Sequence, residues 1–301
     1  MYFKENIVVG VFVDHMLIIG EVPNVTEFKK SFGLKFKCHD FGEATRFLSL
    51  NISENGEEMF VHQKDYVQSI LEEFGMKNCK GRSFPLEANR DDKTGKLDEL
   101  FDEQIYRRAV GRLLYLSNNS RPDLALAVGK VSQSCNSPTK GNWLNVKSIT
   151  RYLRQTTDFC LKYVKSGEKI ECFTDADWVG DRADRKSISG TVVLMAGNPV
   201  IWRSKMQSLV ALSTVESEYI AVCETTKEVL WLIDFLTELR QTDLLEKPFV
   251  IMADNQGAMY LSDESYVTDR TKHMELIYYS LKDEVSKGRV SISHRGRIWP
   301  T

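Results

Sequence analysis

Residues 169–181 read K-I-E-C-F-T-D-A-D-W-V-G-D. This is a strand-prone run that stops at Asp175 and passes into a loop crowded with Asp177, Asp181 and Asp184. Two other stretches also place an acid at the end of an element. P-F-V-I-M-A-D (248–254) reads as a strand closed by Asp254, and S-T-V-E-S-E-Y (213–219) opens a long helix that carries Glu218 one turn in. Three carboxylates from two strand ends and a helix start offer the hard oxygen ligands that divalent cations take. A pair of Mg²⁺ ions about 3.5–4 Å apart activates water and stabilises the leaving oxygen of a phosphodiester.

Each strand-end acid also has a plain structural reading. Asp175 suits a turn, and Asp254 suits the cap of a following helix. The D-x-D spacing with Gly180 imitates a calcium loop, but Val179 and Lys186 stand where ligands belong. The two glutamates of the long helix divide by position. Ser213-Thr214-Val215-Glu216 has the form of a capping box, with Glu216 reaching back to the Ser213 amide. Glu218 lies further round, toward the apolar side marked by Val222 and Cys223, where a carboxylate is costly unless a cation or donor meets it.

Outward from this region, strands are expected at Cys160–Val164, Lys169–Thr174, Ser189–Ala196, Val200–Ser204, Ser208–Leu212, Phe249–Ala253 and Arg289–Ser293. Helices are expected at Thr214–Arg240 and Lys272–Lys287, with a short one between them. The N-terminal run reads as a hairpin turning at Asp14-His15, then a helix at Val25–Phe32. A second strand pair follows through Asn55-Gly56, then a helix carrying Val67, Ile70, Leu71 and Phe74 and a polar loop at Glu87–Leu100. Three helices occupy the next stretch, one of them opening at Arg121-Pro122-Asp123.

At 301 residues the length predicts about two domains, and 42% hydrophobic with 27% charged residues excludes collagen-like and disordered classes. The apolar run Ile7–Ile19 contains Asp14 and His15 and is too short to span a bilayer, so no membrane partner is expected. The first residues lack the basic start and cleavage site of a secretory signal. Six cysteines without a C-x-x-C pair point to a reduced, intracellular setting rather than to zinc or disulfides. The net charge of −2 conceals a basic stretch. From Gln104 to Arg154 nine Lys/Arg stand against the single acid Asp123, either as a solvated surface or as a track for a phosphate backbone.

The motifs carry a family resemblance over nearly the whole chain. They are F-V-D-H-M-L-I-I-G (12–20), A-V-G-R-L-L-Y-L (109–116), S-R-P-D-L-A-L-A-V (120–128), T-D-A-D-W-V-G-D (174–181), S-I-S-G-T-V (187–192), W-R-S-K-M-Q-S-L-V-A-L-S-T-V-E-S-E-Y-I-A (202–221), A-D-N-Q-G-A (253–258) and R-T-K-H-M-E-L (270–276). Together they resemble the C-terminal portion of a copia-type retrotransposon Pol polyprotein, the end of the reverse transcriptase followed by RNase H. The resemblance implies an α/β chain in which an RNase H-like mixed sheet with flanking helices follows a partial reverse-transcriptase palm hairpin and a helical thumb/connection region. The implied divisions are 1–86, 87–157 and 158–301.

The resemblance also implies cleavage of the RNA strand of RNA–DNA hybrids, in cytoplasm, nucleus or retrotransposon particle. Asp175, Glu218 and Asp254 would be the catalytic metal ligands for two Mg²⁺ ions, or Mn²⁺. Gln256 would contact the hybrid, and Arg107, Arg108, Arg112, Lys147 and Arg151 would track it; a degenerate or domesticated nucleic-acid-binding fragment without catalysis is the alternative. The departures from the family pattern matter equally. Its polymerase motif carries two adjacent Asp where this chain has Asp14-His15, and imidazole is a poor Mg²⁺ ligand, so polymerase activity is not expected. After the last strand the family continues to an A-D-x-x-T-K segment whose Asp is a fourth ligand, whereas this sequence reads S-I-S-H-R-G-R-I-W-P-T. Weaker metal affinity and residual activity are expected. Glu275 is a conceivable substitute ligand, and His294 stands where many RNase H proteins have a mobile His.

Overall fold

The computed structural model of the chain describes residues 2–4, 7–86, 98–166, 169–177, 186–245, 247–254 and 275–294. Runs of β-branched residues drive the first sheet. In it β1 (Tyr2–Lys4), β2 (Ile7–Phe12) and β3 (His15–Gly20) pair antiparallel in that order. Phe12 faces His15, so the turn is Val13-Asp14, with Val13 at φ 54°, and not Asp14-His15 as expected. His15 already belongs to the returning strand. Helix α1 (Val22–Gly33) begins before Val25, because Pro23 is accommodated in its first turn.

A second sheet holds β4 (Arg46–Phe47), β5 (Leu50–Asn55) and β6 (Glu58–His62). Asn55 faces Glu58 across a two-residue turn in which Gly56 adopts φ +65°, a conformation open to glycine without strain. The fourth strand, β7 (Leu161–Val164), comes from far along the chain and pairs antiparallel with β6, Glu58 facing Val164.

Between β6 and β7 the chain forms a helical block. It contains α2 (Lys64–Glu73), α3 (Glu103–Asn119), a 3₁₀ turn (Pro122–Leu124) continuing into α4 (Ala125–Ser132), and α5 (Lys140–Gln155). The Asp102 side chain caps α3 by accepting the Ile105 N–H at 2.9 Å, and Thr139 with Asn142 forms a capping box at α5. Val67, Ile70, Tyr106, Leu113, Leu116, Val128, Ile149 and Leu153 fill the block's core. The Tyr106 hydroxyl is buried there and donates to the Val131 carbonyl at 2.7 Å.

The third sheet comprises β8 (Ile170–Asp177), β9 (Ile188–Met195), β10 (Asn198–Met206), β11 (Phe249–Ala253) and β12 (Val290–His294). Its order is β10-β9-β8-β11-β12, with the first three antiparallel and β11 parallel to both β8 and β12. This is a mixed sheet with flanking helices, as the sequence led one to expect. The connection from β10 to β11 is α6 (Thr214–Glu238); α7 (Glu275–Ser286) precedes β12. Tyr219, Val222, Val229, Leu232, Ile233 and Leu236 of α6 are buried with Cys172, Val193 and Ile251 of the sheet. Burial of each large apolar side chain contributes about 1.5–3 kcal/mol.

The strand expected at Ser208–Leu212 is absent, and the chain leaves the sheet after Met206. The Gln207 N–H donates to the Ser187 carbonyl at 2.9 Å, and the Leu212 N–H goes to the Glu216 carboxylate at 2.7 Å. Residue 212 therefore serves the start of α6 instead of a neighbouring strand. The helical block and the third sheet meet at α4 and β10. A Cβ at Gly129 would lie 3.3 Å from the Ser204 carbonyl, so glycine permits this close approach, and the Trp202 indole donates to the Ser117 carbonyl at 2.8 Å. Among the described residues no helix is long and apolar enough to cross a membrane.

Candidate metal centre

Ser213, in extended conformation, accepts the Glu216 N–H on its Oγ at 3.2 Å and starts α6. Glu216 does not return the bond to Ser213 as the capping-box pattern predicts. Its Oε2 reaches one residue further and accepts from Leu212. Glu218 follows two residues later, about 200° round the helix at 3.6 residues per turn. Both glutamates are buried, Glu216 against the Leu212 amide and Glu218, 6% exposed, toward the sheet.

There it meets the two strand-end acids. Asp175, Glu218 and Asp254 each present a carboxylate oxygen within 4.8 Å of the others, and this is the one such group among the described residues. Asp175 sits near the end of β8, its Oδ1 accepting the Ala176 N–H at 2.9 Å, and Asp254 lies just past β11, exposed. The buried Glu218 Oε2 has no hydrogen-bond partner. Burial, then the negative charges of Asp175 and Asp254, push the Glu218 carboxyl up to about 8, against a lowering by the Ala176 N–H. A divalent cation is the partner that relieves both the lost hydration and the mutual repulsion of such a group, and oxygen ligands suit Mg²⁺ or Mn²⁺. The residues present therefore fit a metal.

The basic residues expected along a duplex have protein partners. Arg107 pairs with Glu103 at 2.7 Å and donates to the Cys135 carbonyl and Asn136. Arg108 and Arg112 both reach Glu73 of α2, and Arg112 also contacts Ser69 and lies over the Tyr66 ring. Arg151 donates to the Lys80 carbonyl at 2.8 Å, and the Lys147 ammonium lies 6.0 Å from the centre of the Trp143 ring. Asp14 and His15 stand exposed at the β2–β3 tip, the imidazole Nδ1 2.8 Å from the Asp14 carboxylate. Gln256 lies outside the described residues, as does the side chain of Glu275, the first residue of α7. His294 ends β12 in parallel register with Ala253, the residue before Asp254.

Sequence reasoning passed over Gln207, which is fully buried between Met206 and a run that reads as strand. Its neighbours Lys205 and Ser208 are polar, so no local pattern marked it as buried. It also passed over the buried hydroxyl chain of Thr174, Thr225 and Thr191, residues drawn from two strands and α6.

Residues 1–88 match the family model described as reverse transcriptase (RNA-dependent DNA polymerase). The retrovirus-related Pol polyprotein from transposon TNT 1-94 of Nicotiana tabacum is 37% identical over 294 residues, 94% of this chain and 22% of that protein. An uncharacterized mitochondrial protein of Arabidopsis thaliana, AtMg00810, is 32% identical over 227 residues, 73% of this chain and 92% of its own length. A foamy viral protease-reverse transcriptase solved in complex with double-stranded DNA superposes with a TM-score of 0.52 at 10% identity, covering 97% of this chain and 47% of that one. The chain spans about a fifth of the length of the Pol polyproteins it matches.

Proposed function

Because the chain belongs to the retrotransposon Pol polyproteins, we propose that its third sheet forms a ribonuclease H of copia type. It cuts the RNA strand of RNA–DNA hybrids by two-metal phosphodiester hydrolysis. In this reading residues 1–86 are a partial palm without polymerase activity, 87–157 a thumb/connection region, and 158–301 carry the hydrolase unit, whose own sheet begins only at Ile170 because β7 (Leu161–Val164) completes the second sheet. The observation that carries it is the buried, unpartnered Glu218 oxygen within reach of Asp175 and Asp254.

When bound, Mg²⁺ ions supply the charge that activates a water and steadies the departing ribose oxygen. Asp175, Glu218 and Asp254 would hold them. Glu218 contributes a ligand oxygen shielded from competing water, while exposed Asp254 leaves the centre open on the side a polynucleotide needs. The foamy viral neighbour's complex with double-stranded DNA supports a nucleic-acid duplex as the ligand of this architecture. At the palm tip, His15 beside Asp14 supports the loss of polymerase chemistry, since imidazole is a poor ligand for Mg²⁺.

The test is cleavage of a labelled RNA–DNA hybrid by the full chain in Mg²⁺ or Mn²⁺, with Asp254→Asn as control. Cleavage of the RNA strand by the wild type alone is the expected result. Equal rates in both proteins would sink the reading. Salt-sensitive hybrid binding without cleavage would make the chain a nucleic-acid-binding fragment instead.

A further inference from the structure

Three carboxylates gathered within 4.8 Å repel one another once all are ionised, so their close approach has to be held by the surrounding fold. Apolar packing holds a helix against a sheet but resists sliding and rotation weakly, whereas hydrogen bonds are directional. Two buried sets of such bonds bracket Glu218. Before it, the Gln207 Nε2 donates to Ser189 Oγ on β9 at 3.0 Å and to the carbonyl of Ser217, the residue preceding Glu218, at 2.8 Å. The Ser217 carbonyl only accepts, so the amide is oriented nitrogen-inward. Its Oε1 is buried without a partner, a cost that an apolar side chain would avoid, so the donated bonds are what the position retains. Beyond Glu218, two turns along the same helical stripe, Thr225 Oγ1 donates to Thr174 Oγ1 at 2.9 Å and lies 2.7 Å from Thr191 Oγ1. Thr174 immediately precedes Asp175.

We infer that Gln207 is a positioning residue. Through Ser189 and the Ser217 carbonyl it sets the register of the first turn of α6 on β8 and β9, bringing the Glu218 carboxylate to Asp175 and Asp254; the Thr174–Thr225–Thr191 chain is the second anchor. This rests on the hydrolase reading for its purpose, but its test does not require cleavage.

Mn²⁺ binding to the full chain, followed by electron paramagnetic resonance well below the unfolding temperature, and amide hydrogen exchange at Ser217–Tyr219 supply two readouts. Gln207→Leu is expected to weaken Mn²⁺ binding about tenfold or more, as loss of a group that orients a ligand does, and to speed exchange at these amides. Ser189→Ala, which leaves the Ser217 bond intact, is expected to lose less. Wild-type affinity within twofold in a folded Gln207→Leu would overturn the inference. Should that variant not fold, unchanged Mn²⁺ affinity in both Ser189→Ala and Thr225→Val overturns it equally. If the wild type binds no Mn²⁺, the hydrolase reading falls, and unchanged exchange at Ser217–Tyr219 in the variants then overturns the positioning role separately.

Discussion

Charge is arranged in opposite ways in the helical block and at the corner where β8, α6 and β11 meet. In the block, opposite charges meet: Arg112 and Arg108 share Glu73, and buried Arg121 grips Asp123 through two nitrogens at 2.9 and 2.7 Å. At the corner, like charges meet, and the most enclosed of them has an oxygen without a donor. In the block, paired charge joins α2 to α3 and anchors the 3₁₀ turn to the end of α5. Gathered like charge is poor architecture and good ligand chemistry. The count of basic residues left the block as either a solvated surface or a track for a phosphate backbone, and its arginines make ion pairs within the fold.

The largest test of this contrast exchanges an acid in each region. Asp175→Asn should lower hybrid cleavage at least about a hundredfold with little change in melting temperature, because a metal ligand is lost and a repulsion relieved. Asp123→Asn should do the reverse, lowering the melting temperature while cleavage per folded molecule stays within about twofold. A hydrolysis assay beside a thermal melt decides both.

Next in size is a dependence on pH. The Glu218 carboxyl is raised from 4.5 to about 8, so the folded chain holds a proton that the unfolded chain releases. Its contribution is present in full below pH 4.5 and is lost as pH rises toward about 8. In chelator, stability should therefore fall across that window by on the order of a few kcal/mol. Glu218→Gln should flatten this slope, and millimolar Mg²⁺ should reverse part of it; urea titrations at several pH values would show both.

A smaller effect is expected in the block. Arg112→Gln should cost about 1 kcal/mol of stability, since its partners are partly exposed. The salt slope of hybrid affinity should change by less than about one ion. A loss of a full ion in that slope would return Arg112 to the duplex. The smallest effect belongs to Asp14. Hydrogen bonds from its own backbone and from His15 hold its carboxyl below the usual range at an exposed turn. Asp14→Asn should leave both cleavage and melting unchanged.

The three acids were legible because each sits where a period breaks: two at the ends of apolar strand runs, one inside a helix beyond a recognisable cap. The cap itself was half legible. Ser213 receives the expected bond, but the reach of Glu216 to Leu212 depends on a loop path that no local pattern encodes. The same loop explains the lost strand at Ser208–Leu212, whose propensity was overridden by the needs of α6. The partners of Arg108 and Arg112 were not legible, because Glu73 lies outside the stretch in which the charges were counted. Ion pairs between helices are tertiary facts, as is the meeting of β6 with β7.

That meeting has a consequence for how such chains can be recombined. Since β7 closes the sheet begun by β4, the helical block is a parenthesis inside that sheet, opened after His62 and shut by Leu161. A crossover placed where helices give way to strands would carry β7 off with the wrong parent and leave β6 with a raw edge. The natural seam for exchanging the third-sheet unit between related elements lies one strand later, between Val164 and Ile170, where the chain has finished one sheet and not yet begun the next.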